Sequence, residues 1–250
     1  MNDYNEKRRA FLLKALKTGV FSLSMQHQFA HGFFFSNTPD ALPKGKSFYK
    51  IEGIVKVNGI KASVKTIIKA DDKIETGADS KAVFVVGKDA FLLREKSKLQ
   101  LNSAKKLANI KKETGLVKVS PEDNFLVESL RLFTGAVLTV FGKSRHRLTT
   151  PNASIGIRGT GVYVEAEPER SYICTCYGLV DIASSINPDE KETVETTHHE
   201  SPRYVYNQAI EGSFIKQAMV KNHNDDELIM LEALVDRLPP FYGNHFYDSY

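Results

Sequence analysis

Two cysteines and no tryptophan occur in 250 residues. That scarcity excludes a disulfide-dense scaffold, which needs several cysteine pairs to stand in for a hydrophobic core. No stretch reaches the roughly 18–20 uninterrupted apolar residues that a bilayer-crossing helix requires, so no span is expected beyond a short N-terminal anchor. Gly-x-Ser-x-Gly, His-Glu-x-x-His and phosphate-cradling glycine loops are missing too, and no histidine has a triad partner recognisable by spacing. The expectation is therefore a non-enzyme. Neither charge sign dominates, since the net charge is only +4. The densest basic group, Lys105, Lys106, Lys111 and Lys112, has no interleaved aromatics for base stacking, which argues against a nucleic-acid partner.

The charge that is present is unevenly spread. Residues 88–118 carry nine Lys/Arg against three Asp/Glu, and residues 186–250 carry five against twelve. Either two solvated faces result, or the acidic tail lies against the basic segment. With 42% hydrophobic residues the chain can bury one sizeable core or two small ones.

Short apolar runs separated by glycine and aspartate turns dominate the middle of the chain. Asn58-Gly59 between Ile54–Val57 and Ile60–Val64 predicts a hairpin, because this pair accepts the positive φ angles of a type I′ turn. A second hairpin is expected from Ala82–Val86 and Ala90–Arg94 across Gly87-Lys88-Asp89. Further strands are predicted at 98–101, 115–119, 125–133, 136–141, 145–149, 154–157, 161–166, 171–176 and 178–183. This pattern predicts an all-β sandwich or a short β-solenoid. After a polar linker at 187–192, an imperfectly alternating segment predicts a late hairpin or extended arm. Asn224-Asp225-Asp226-Glu227 then reads as a capping box. It opens an amphipathic helix with Leu228, Leu231, Leu234, Val235 and Leu238 on one face, ended by Pro239-Pro240. That helix is expected to pack on the β-domain.

The most unusual stretch is Thr-Thr-Pro-Asn-Ala-Ser-Ile-Gly-Ile-Arg-Gly-Thr-Gly-Val-Tyr-Val at 149–164. Glycines at 156, 159 and 161 would weaken an ordinary strand, so they mark bulges or close backbone approach. The segment resembles the Thr-Pro…Ile-Arg-Gly-Thr signature of the FecR-domain family. Residues 49–101, with Ile-Lys-Ala-Asp-Asp-Lys-Ile-Glu-Thr-Gly-Ala-Asp-Ser, resemble the earlier half of the same domain, and 130–140 resemble its strand–Gly–strand, so the similarity covers about 49–183; Ala70 stands where the family commonly has glycine. The resemblance implies a periplasmic β-rich module that relays signals or acts as a scaffold, with an envelope protein or cell-wall component as partner. The best-known members link an iron-uptake receptor to a sigma factor through a membrane span and an anti-sigma domain, neither of which is expected here. Arg158, with Gly159 and Thr160, is the candidate binding position; the alternative is an arginine whose five donors tie neighbouring carbonyls together.

Lys7-Arg8-Arg9-Ala10-Phe11-Leu12-Leu13-Lys14 resembles a twin-arginine export signal, with Arg8, Arg9, Phe11 and Leu12 in the key places. The apolar run that follows, interrupted by Lys17 and Gly19, suits that route, and a periplasmic destination is expected. An uncleaved anchor or a basic amphipathic helix are the alternatives. The organisation expected is thus 1–40 as export signal or anchor with linker, 41–185 as FecR-like β-domain, and 186–250 as a C-terminal extension with one helix.

Cys174 and Cys176 stand in Tyr-Ile-Cys-Thr-Cys-Tyr. On a strand, residues i and i+2 share a face, so both sulfurs would lie side by side. Buried inert thiols are one outcome. A disulfide is another, although a separation of roughly 6.6 Å between Cα atoms two apart on a strand lies near the upper limit of disulfide geometry. The third is a zinc or copper ion held by Cys174, Cys176, His198 and His199, the donor types such ions take. Adjacent histidines on a strand point oppositely, so both could bind one ion only from a turn. A metal- or redox-handling exported protein is accordingly the alternative function.

Overall fold

The computed structural model describes residues 38–103 and 126–242. The proposed export signal (Arg8, Arg9, Phe11, Leu12), His27, His31, the four lysines at 105–112 and the strand predicted at 115–119 lie outside those residues.

A single sheet of fourteen strands with one helix accounts for the regular structure among the described residues. The early strands are short: β1 Phe48–Glu52, β2 Val55–Val57, β3 Ile60–Lys61, β4 Lys73–Thr76, β5 Lys81–Val86, β6 Asp89–Leu93 and β7 Lys98–Ser103. Three long strands follow with a short one between them: β8 Val127–Val140, β9 Arg145–Thr149, β10 Ala153–Ala166 and β11 Arg170–Ser184. The tail adds β12 Lys191–Thr196, β13 Arg203–Ile210, β14 Ser213–Gln217 and the helix α1 Asp225–Leu234. The chain is thus all-β with a C-terminal helix. Every pairing is antiparallel except β8 with β9. A solenoid would stack parallel rungs, so the sandwich-like alternative is the one this topology fits.

The long strands each serve two neighbourhoods. β8 pairs with β7 and β9 up to Thr134, then with β6 and β10 from Gly135 onward. β10 pairs with β9 through Arg158 and with β8 from Gly161, while β11 pairs with β13 near its start and β12 near its end. The sequence pattern predicts separate strands on either side of Gly135 and Gly159, both of which have a positive φ. The backbone instead runs through them with a bend, because a residue that tolerates a positive φ lets a strand change partners without ending. At Gly135 the φ is +83°, and an added Cβ would stand 2.1 Å from Ser97 Oγ.

The turn chemistry follows expectation at Asn58-Gly59, whose φ angles of 52° and 82° join β2 to β3. The second hairpin has Gly87-Lys88 as its two-residue loop, Asp89 already being paired with Val86.

Alternate residues of the central strands face two cores. Phe84, Phe91, Leu93, Val137, Val162, Val164 and Ile173 join the main cluster. Val83, Leu92, Leu138, Tyr163, Tyr172, Cys174 and Cys176 face the other way, under α1. The sheet is covered on both sides there, which explains why those runs read as continuously apolar. Leu228, Leu231 and Leu234 of α1 are at most 1% exposed, each worth about 1.5–3 kcal/mol of burial. Leu238 is exposed, since the helix ends at Leu234, before the two prolines. Asn224 caps the helix by accepting from the Glu227 N–H at 3.0 Å. The Glu227 carboxylate does not complete a capping box; it pairs with Arg94 (2.7 Å) and Lys81 (3.5 Å). Acidic tail and basic segment do meet at that point.

Candidate functional site

Strand alternation on β11 turns Tyr172, Cys174 and Cys176 toward the tail. Both thiols are wholly buried and are not bonded to each other. After β12 the chain turns through Thr197–His199, where His199 takes a left-handed φ of 51° and its N–H donates to the Cys176 carbonyl at 3.0 Å. That anchor brings the imidazole over the sulfurs, with His199 Nδ1 at 3.5 Å from Cys174 Sγ.

A third element closes the group. The segment before α1 is pinned by Glu165, which accepts from Lys221 Nζ (2.5 Å), Asn222 Nδ2 (2.7 Å) and Tyr163 Oη (2.8 Å). Burial pushes the Glu165 carboxyl up, but these donors outweigh it and hold it below the usual range. So fixed, His223 stacks on Tyr163 with ring centroids 4.5 Å apart and sets Nε2 at 3.0 Å from His199 Nδ1. Its Nδ1 lies 2.7 Å from the Lys221 carbonyl, which can only accept, so that nitrogen carries the proton.

Cys174, Cys176, His199 and His223 thus offer two sulfurs and two nitrogens within 4.8 Å of one another, all buried. The structure differs from the sequence expectation in one member: His223 takes the place of His198. His198 Nε2 instead lies 2.9 Å from both carboxylate oxygens of Asp225, the first residue of α1 after its cap Asn224. The same carboxylate meets His199 Nε2 at 3.1 Å. The left-handed turn lets both adjacent histidines reach Asp225, but only His199 presents its other nitrogen to the sulfurs. His223 and Asp225 escaped sequence reasoning because nothing in their spacing links them to residues 174–176. The one available sign was their place around a helix cap, which fixes side-chain direction.

Electrostatics follow from this crowding. The Cys174 thiol is held well below its ordinary value, first by a hydrogen bond from the Cys176 thiol against the opposing effect of burial, then by His199 and His223. Cys176 is pushed up by burial and by its neighbour's charge. At His199 burial acts downward, yet Asp225 and Cys174 prevail and raise it to about 9. Asp225 is held low by the two histidines despite burial.

Arg158, the other sequence candidate, lies on a different part of the sheet. Its guanidinium donates to Asp181 at 2.5 Å, and it stands opposite Arg145 across the β9–β10 ladder. Gly159 has a φ of +58°, and Thr160 is buried. Arg158 therefore bonds a carboxylate rather than tying carbonyls together. Beside it opens a cavity of about 690 Å³ lined by Arg145, Arg147, Arg158, Asn102, Ser129 and Asp181, among others. Thr160 and Gly159 do not line it.

No family model and no curated protein matches the chain. Two solved structures of a candidate anti-sigma factor from Parabacteroides distasonis are similar, with TM-scores of 0.42 and 0.41 at 11% identity. Each match covers 59% of this chain and 59% of the other, less than two thirds of those proteins' length.

Proposed function

We propose that the chain is an exported, non-catalytic β-module of FecR type that binds an anionic group on an envelope protein or cell-wall component, in signalling or assembly. The observation that carries the binding role is the cavity beside β9 and β10. Arg145, Arg147 and Arg158 line it together with Glu128 and Asp181, the last already bonded to Arg158, and the guanidinium forks of Arg145 and Arg147 suit carboxylate or phosphate. Support for the family reading comes from the Ile-Arg-Gly-Thr peptide, which lies inside an antiparallel sheet as that resemblance requires. A periplasmic setting rests on the twin-arginine resemblance of residues 7–14.

The non-catalytic reading meets one challenge. Cys174, His199 and Asp225 follow one another like a nucleophile, base and orienting carboxylate. The burial of Cys174, which has no exposed surface, supports the non-catalytic reading.

The test uses the purified full chain and envelope fractions of the cells that make it, with retention measured at rising salt. Arg145 and Arg147 are exposed, so reversing both to Glu spares the core. Retention is expected to fall by about tenfold or more. Unchanged retention would remove the cavity as the binding surface.

A further inference from the structure

We propose that Cys174, Cys176, His199 and His223 form a closed, four-coordinate centre for a zinc ion, which ties the C-terminal tail to the sheet.

His223 Nδ1 gives its proton to the Lys221 carbonyl, and His199 Nε2 faces the Asp225 carboxylate. Each ring thereby turns its other nitrogen inward, toward the sulfurs and toward each other. A proton can bridge one of these pairs at a time, whereas a metal ion accepts from all four donors at once.

Distances agree. Zinc bonds of about 2.3 Å to sulfur and about 2.0 Å to nitrogen put the corners of a tetrahedron about 3.3 Å apart for two nitrogens and about 3.5 Å for nitrogen and sulfur. The structure has 3.0 Å between His199 Nδ1 and His223 Nε2, and 3.5 Å between His199 Nδ1 and Cys174 Sγ. Two thiolates with two imidazoles in tetrahedral array select zinc over magnesium or calcium, which prefer oxygen.

The surroundings have the form of an outer shell. A carboxylate on one histidine and a backbone carbonyl on the other fix ring orientation and raise ligand basicity. Tyr163 covers the His223 ring, and His198 braces Asp225 from outside. Because four protein ligands fill the tetrahedron, no position is left for water, which makes the ion structural. Its ligands come from β11, the turn after β12 and the segment before α1, so the ion joins three stretches that sequence separates by more than twenty residues.

This centre does not depend on the anionic-partner reading, and each can fail alone. Metal analysis of the full chain, expressed with zinc in the medium, should give about one zinc per chain. Cys174→Ala and His223→Ala should each lower that content at least about tenfold, whereas His198→Ala, which removes only an outer brace, should retain most of it. Should the ligand variants fail to fold, cobalt loading of the unaltered chain still decides: thiolate-to-cobalt charge-transfer absorption with intense tetrahedral bands is expected. Absence of both zinc and those bands overturns the proposal. So does loss of zinc in His198→Ala with retention in His223→Ala.

Discussion

Treating the full chain with a strong chelator is expected to lower its melting temperature by roughly 10 °C, and restoring zinc should reverse the change. The size follows from linkage. An ion present at a thousand times its dissociation constant stabilises the folded state by about 4 kcal/mol. For a domain of this length each kcal/mol moves the melting point by about 2–4 °C. The loss should concentrate in the tail. Without the ion, β11 keeps its ladder with β10, but the turn at His199 and the segment carrying His223 lose their common anchor. Hydrogen exchange would then rise in residues 197–242 while β5, β6 and β8 stay protected. A chelator that leaves both melting point and exchange unchanged would show that packing alone holds the tail.

Gly135→Ala is expected to be the most damaging single methyl addition. A Cβ at this position would lie 2.1 Å from Ser97 Oγ and 2.5 Å from Ser97 Cα, on a backbone with φ +83°. Ser97 cannot rotate away cheaply, because its Oγ accepts from the Ala136 N–H at 2.9 Å and its N–H donates to Thr76 Oγ1 at 2.9 Å. Strain and collision together should cost about 4 kcal/mol. Gly59→Ala separates the two causes. Its φ is nearly the same, +82°, but nothing lies within 4 Å of the added methyl, so only about 1–2 kcal/mol of backbone strain should appear. Equal losses at the two sites, read from urea midpoints, would show that the crossing of β8 past Ser97 is looser than described.

The contrast between those glycines also shows what a sequence can convey. Asn58-Gly59 announces its hairpin locally, since the turn needs only those two backbones. Gly135, Gly159 and Gly178 look alike as strand breakers, yet each lies inside a strand that bends and takes a new neighbour. Which outcome follows depends on partners far along the chain, so the predicted breaks at 134–135 and 158–160 became single strands of fourteen residues. The all-β class with its C-terminal helix was legible because apolar runs and turn residues report locally. The capping role of Asn224 was legible for the same reason, whereas the pairing of Glu227 with Arg94 spans 133 positions.

The metal donors divide along the same line. Cys174 and Cys176 could be placed side by side from strand periodicity alone. Of the two histidines proposed from sequence, His199 stands with the sulfurs and His198 does not, because they sit in a turn whose left-handed residue redirects both rings. His223 enters only through folding of the tail onto the sheet, fixed by Glu165 and Tyr163, neither of which marks it in sequence.

X-ray absorption at the zinc edge of the purified full chain tests the centre most directly. The account predicts two sulfur neighbours at about 2.3 Å and two imidazole nitrogens at about 2.0 Å, with no further ligand. A shell of oxygen and nitrogen without sulfur would place the ion elsewhere and contradict it.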